Sequence, residues 1–135
     1  MARVLVVDDD QLFVRLMTAA LTQRGHEVQF ALDGASGERL FNSVPFDAVV
    51  CDIVMPDQEG VQTIRQMRAK RGDVGIVAIS GGLSFSHTSN IDILDVAAKL
   101  GADVTLKKPF QMSELVAAVD RALAAHGASA SRAQG

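Results

Sequence analysis

Acidic residues stand where short apolar runs stop. Val4-Leu-Val-Val leads into Asp8, Asp9 and Asp10, and Ala48-Val-Val-Cys leads into the lone acid Asp52. Gly75 to Ile79 ends at Ser80, and Asp103 to Leu106 is followed by Lys107 and Lys108. Carboxylates brought close together repel one another, which raises at least one pKa unless a cation sits among them. Mg²⁺ suits such a place, since it takes one or two carboxylates and keeps several waters. A carboxylate is also a competent nucleophile toward a phosphoryl group. Transfer of that group needs positive charge on its equatorial oxygens, which a metal and a lysine ammonium supply. The plainer alternative takes Asp8 to Asp10 as a polar turn, with Asp10 capping a helix. It accounts for Asp10 and leaves Asp52, Ser80 and Lys108 unexplained.

Bringing these groups together requires a particular arrangement of elements. Strands are expected at Arg3 to Val7, Glu27 to Ala31, Asp47 to Cys51, Gly75 to Ile79 and Asp103 to Leu106. Helices are expected between and after them, at Asp10 to Arg24, Gly34 to Asn42, Gln58 to Lys70, about Asn90 to Leu100, and Met112 to Ala124. In the first helix Phe13, Leu16, Met17 and Ala20 recur at the spacing of one face. Gly25 and Gly101 stand at helix ends, and Pro45, Pro56 and Pro109 punctuate the rest. Strands alternating with helices give a parallel sheet covered on both faces, an α/β doubly wound fold. Its ligands bind outside the C-terminal ends of the strands, where strand order reverses. Asp8, Asp9, Asp52, Ser80 and Lys108 all fall at such ends.

Composition narrows the functions. The 135 residues allow one domain, expected over 1–125, with a frayed tail over 126–135. A hydrophobic share of 48% builds a core, and a net charge of −3 without a basic stripe argues against nucleic-acid binding. No apolar run is long enough to span a bilayer, and the early acids leave no room for a signal-peptide core, so a cytoplasmic protein is expected. Cys51 alone makes no disulfide and reads as a buried strand thiol. His26, His87 and His126 lack metal-ligand spacing and are expected at the surface.

Taken in order, Val4-Leu-Val-Val-Asp-Asp-Asp10, Val50-Cys-Asp-Ile-Val-Met-Pro56 with Gly60, Ser80, and Lys108-Pro-Phe110 resemble the response-regulator receiver family of two-component signalling. The resemblance covers about Arg3 to Leu123 and implies a flavodoxin-like sheet of order 2-1-3-4-5. It makes Asp52 the phosphoacceptor, Asp9 the main Mg²⁺ carboxylate, Asp8 a holder of water on the metal, and Val54 a ligand through its backbone carbonyl. Ser80 would bond the phosphoryl group and Lys108 would neutralise it, with Lys108–Pro109 cis. The implied partners are a histidine kinase or histidine phosphotransfer protein, a downstream protein target, and a second copy in a phosphorylation-dependent dimer. No output domain is read in the chain, so the signal is expected to leave through a protein surface or by onward phosphotransfer.

Two features depart from the family pattern. Thr105 stands where an aromatic residue commonly couples phosphorylation to output, and the Gly- and Ser-rich stretch Gly81 to Ser89 lengthens the path from Ser80 to Lys108. Both predict a signal carried by that loop and the fourth helix. Among alternatives, a haloacid-dehalogenase-like phosphatase would use Asp8 and Asp10 as its Asp-x-Asp pair. It lacks an acidic pair after Lys108 and leaves Asp52 idle. A phosphorylation-independent adaptor would carry its buried carboxylates at a cost in stability. Flavin binding lacks a phosphate-cradling loop after the first strand.

Overall fold

The computed structural model describes residues 2–53, 59–80 and 93–127. The elements alternate as expected: β1 (Arg3–Val7), α1 (Gln11–Gln23), β2 (Glu27–Ala31), α2 (Gly34–Ser43), β3 (Ala48–Asp52), α3 (Glu59–Lys70), β4 (Gly75–Ser80), α4 (Ile93–Leu100), β5 (Val104–Lys107) and α5 (Met112–Ala125). All the strands pair in parallel, in the order β2-β1-β3-β4-β5. The starts expected for the third helix at Gln58 and the fourth at Asn90 lie outside the described residues, as do Val54, Pro56 and the loop from Gly81 to Ser89.

The sheet is buried on both faces because alternate side chains point to opposite sides. Val4, Val6, Ala48, Val50, Val77 and Ile79 meet Val14, Met17 and Leu21 of α1 and Leu115, Val119 and Leu123 of α5. On the other face Leu5, Val7, Val49, Cys51, Ile76 and Ala78 meet Phe41 of α2 and Ile64 and Met67 of α3. The inward face of α1 is set by Val14, Met17 and Leu21, which turns Leu16 outward to 49% exposure. Phe13, Leu16, Met17 and Ala20, expected on one helix face, therefore do not share one buried face.

Helix ends follow the sequence closely. Asp10 caps α1 by accepting from the Phe13 N–H at 3.1 Å, and Asp33 caps α2 by accepting from the Ser36 N–H at 2.7 Å. Gly25 and Gly101 take φ of +91° and +127°, the left-handed region that favours glycine after a helix.

Strands three and five are each displaced one residue from their expected span. Asp103 stands just before β5, with its N–H bonded to the Ile76 O at 2.8 Å and its carboxylate bound as well. It accepts from the Ile76 N–H and from Arg68, both at 2.8 Å, and faces His126 Nε2 at 3.0 Å. His126 is thus tied down rather than part of a frayed tail. Its ring is 20% exposed, and His26, half-buried, accepts from the Ala2 N–H at 3.2 Å. Neither is a freely solvated surface histidine.

Candidate functional site

Strand order reverses between β1 and β3, because β2 lies on one side of β1 while β3, β4 and β5 follow on the other. The crevice beyond their C-terminal ends is where a ligand site forms in such a sheet. Asp8 follows β1, Asp52 ends β3, Ser80 ends β4, and Lys108 follows β5. Backbone bonds hold these positions just past the regular pairing: Asp8 N–H to Ala31 O at 3.1 Å, Ile53 N–H to Ile79 O at 2.9 Å, and Lys108 N–H to Ser80 O at 2.8 Å. The Lys108–Pro109 peptide is cis, as the resemblance implied.

At the centre, Lys108 Nζ lies 3.2 Å from Asp8 Oδ2 and 3.2 Å from Asp52 Oδ2. Asp8, Asp52 and Ser80 are buried, and Asp9 is exposed. Asp8 Oδ1 accepts from the Asp10 N–H at 2.9 Å, so both oxygens of this acid are engaged. Burial pushes the Asp8 carboxyl up to about 6, with repulsion from Asp52 adding to it against the pull of the Asp10 amide and Lys108. For Lys108, burial acts to lower the pKa, but the charges of Asp52 and Asp8 outweigh it and hold the ammonium above its ordinary value.

One carboxylate oxygen each from Asp8, Asp9 and Asp52 lies within 4.8 Å of the others. Hard oxygens so grouped suit Mg²⁺ better than a soft or nitrogen-seeking metal, so the donor set fits the ion the resemblance implied. Val54, the expected backbone ligand, lies outside the described residues.

Gly60 explains how α3 can begin so close to Asp52. A Cβ there would run into the Asp52 carbonyl oxygen and the Ile53 Cα. Cys51 points to the opposite face from Asp52, with Sγ 3.5 Å from Asp52 O and 3.9 Å from Gly60 O. Burial first, then the charges of Asp52 and Asp8, push its thiol far above its ordinary value, which leaves it unreactive.

Residue types alone did not mark out an aromatic pair beside the lysine. The Phe13 ring centroid lies 4.5 Å from Lys108 Nζ, and Phe110 meets Phe13 edge-on with centroids 5.5 Å apart. From spacing alone Phe13 is one of the apolar residues on a face of α1. Its place beside Lys108 is visible only once β1 and β5 are known to end on the same edge of the sheet.

The profile of the response regulator receiver domain matches residues 4–120. The chain belongs to that family. Among relatives, it is 38% identical to the transcriptional regulatory protein PrrA of Mycobacterium leprae, over 95% of this chain and 52% of that protein. It is 36% identical to the DNA-binding transcriptional regulator NtrC of Azospirillum brasilense, over 90% of this chain and 24% of that one. The receiver thus spans about half the length of PrrA and less of NtrC. In fold it is similar to a CheY-like receiver domain protein from Methanospirillum hungatei, with TM-score 0.82, 23% identity and 93% and 96% of the two chains covered. A Francisella response regulator receiver domain gives TM-score 0.77 at 25% identity, covering 93% and 98%.

This is a signalling family of two-component systems, and the phosphatase alternative falls away. Asp10, which that alternative needs as its second acid, is spent on capping α1. No helix among the described residues is long and apolar enough to cross a membrane.

Proposed function

We propose that this receiver domain, residues 1–125, takes a phosphoryl group on Asp52 from a histidine kinase or a histidine phosphotransfer protein. The observation that carries the reading is the Lys108 ammonium set 3.2 Å from both Asp8 and Asp52 at the crevice where strand order reverses. In the step, an Asp52 carboxylate oxygen attacks phosphorus, a P–O bond forms, and the P–N bond to the donor imidazole breaks. The electron pair of that bond leaves with the imidazole, which takes up a proton. Lys108 neutralises charge on the transferring group, and the Ser80 hydroxyl donates a hydrogen bond to it once attached.

Asp8, Asp9 and Asp52, with the backbone carbonyl of Val54, would hold Mg²⁺. Bound there, the ion supplies charge neutralisation among the carboxylates and the phosphoryl oxygens. Asp8 and Lys108 otherwise serve to orient Asp52, whose carboxylate is kept from water by the strands around it. The protein acts in the cytoplasm, and its phosphorylated form passes the signal to a protein target or a second copy of itself.

Intact-mass analysis after incubation with acetyl phosphate and Mg²⁺ tests the reading. Wild type should gain one phosphoryl group, and Asp52→Asn should gain none. Equal incorporation by both proteins would remove Asp52 from its role.

A further inference from the structure

We infer that Phe13 is a positioning residue for Lys108, its ring keeping the ammonium over the carboxylates where phosphoryl uptake needs it. The inference rests on the phosphoacceptor reading of Asp52 and deepens it.

A lysine head on a four-carbon stem is mobile, and its usefulness as a point charge depends on what restricts it. Two sides of the Lys108 ammonium are taken by Asp8 Oδ2 and Asp52 Oδ2 at 3.2 Å each. The Phe13 ring covers another side at 4.5 Å, within the range of an electrostatic attraction between a cation and a ring face. The side chain of Lys108 is still 22% exposed, so an open path to water exists that the ring narrows.

The ring itself is held from two directions. Asp8 Oδ1 accepts from the Asp10 N–H at 2.9 Å, and Asp10 Oδ1 accepts from the Phe13 N–H at 3.1 Å. The carboxylate and the ring that flank the ammonium therefore belong to one hydrogen-bonded turn. On the other side Phe110, two residues past Lys108, packs edge-to-face on Phe13 at 67° between planes. Displacing the ring would disturb the turn after β1 and the loop after β5 together. When Asp52 changes from a carboxylate to an acyl phosphate, its pairing with Lys108 must be rebuilt. The ring is a contact that need not change during that exchange.

The competing account is that Phe13 only fills space against the α1 and α5 core, which it partly does. Shape and electrostatics separate when fluorine is added to the ring, because each fluorine weakens the negative ring face while barely changing its size. Phenylalanine carrying one, two and three fluorines is placed at position 13, and phosphoryl uptake from acetyl phosphate with Mg²⁺ is timed. The expected result is a stepwise fall, roughly three- to tenfold in all. The same series at Phe46, buried in the opposite core cluster, should give no trend.

Phe13→Leu should slow uptake about as much as three fluorines. In metal-free protein it should also abolish an upfield ring-current shift of the Lys108 ε-methylene protons. Uptake that is independent of fluorination, or equally graded at Phe46, overturns the role of Phe13 and leaves Asp52 as phosphoacceptor. An absence of that proton shift in the wild type also overturns it. A wild type that takes up no phosphoryl group overturns both readings.

Discussion

Replacing Asp8 by Asn should make the metal-free receiver more stable. Asp8 is buried, and its carboxyl rises from 3.8 to about 6 on folding. At about 1.4 kcal/mol per pH unit, that rise is worth about 3 kcal/mol against the ionised folded protein. Asparagine removes the charge and keeps an oxygen for the Asp10 N–H, and the ion pair with Lys108 that it gives up is already counted within that rise. The net gain expected at pH 8 in EDTA is about 1–3 kcal/mol, or about 4–10 °C in Tm. Because the folded pKa lies above the unfolded one, the folded state binds the proton more tightly. The penalty on wild type is therefore complete above about pH 7 and fades as pH falls through 6. It is gone near pH 4, so the advantage of Asp8→Asn should shrink over that window. Saturating Mg²⁺ should also narrow it, since wild type gains more from the ion. Urea titrations of both proteins at pH 8, 6 and 4 make the measurement, with their difference cancelling the other carboxylates. A variant less stable than wild type at pH 8 in EDTA refutes the reasoning, because the ion pair would then outweigh the burial. An advantage that does not change with pH refutes it too.

Other perturbations have equally definite outcomes. Asp9 is exposed, so Asp9→Asn should change metal-free stability by less than about 0.5 kcal/mol while lowering Mg²⁺ affinity and the phosphorylation rate together, read by calorimetry and intact mass. A large stability loss would instead mark Asp9 as a structural group. Gly60→Ala should cost about 2–3 kcal/mol by pushing α3 away from Asp52, and should slow phosphorylation in the same protein. An unchanged urea midpoint would mean that the approach is not tight. The Cys51 thiol should resist a disulfide reagent in the native protein and react at the pace of unfolding, so rapid labelling at neutral pH would contradict its burial.

Much of this architecture was legible because strands buried on both faces leave an unambiguous mark. Val4 to Val7, Ala48 to Cys51 and Gly75 to Ile79 read as strands from their apolar runs, and they are deeply buried stretches of the sheet. Their ends located Asp8, Asp52 and Ser80, and Lys108 followed from the same logic. What periodicity could not reveal was competition for single groups. Asp103 reads as the first residue of β5, but its carboxylate is taken by Arg68 and the Ile76 amide, and the strand starts one residue later. Leu16 fits a helical stripe as well as Leu21 does. Only the packing of α1 against β1 and α5 decides that Val14, Met17 and Leu21 go inward. The aromatic pair of Phe13 and Phe110 joins two residues far apart in the chain, and no local pattern announces it.

The burial that makes the strands legible also constrains how the site can respond. Asp8 and Asp52 emerge from β1 and β3, which, like β4, are flanked on both sides and covered on both faces. Close packing there resists movement of either backbone, since interiors as dense as these transmit strain rather than absorb it. Asp52 is further fixed from the front by the start of α3, which leaves no room for even a methyl group at Gly60. The carboxylates therefore stay near one another whatever their charge, and their repulsion is relieved by whatever cation is near. In the metal-free protein that cation is the Lys108 ammonium, shared between them at 3.2 Å. One ammonium cannot fully serve two carboxylates and an incoming phosphoryl group at once. On the phosphoacceptor reading, added charge at Asp52 shifts the Lys108 ammonium among the oxygens within its reach while its contact with the Phe13 ring can persist. Among the described residues, the groups least confined by the sheet are those that follow the strands, and that is where a change of charge at Asp52 has room to be felt.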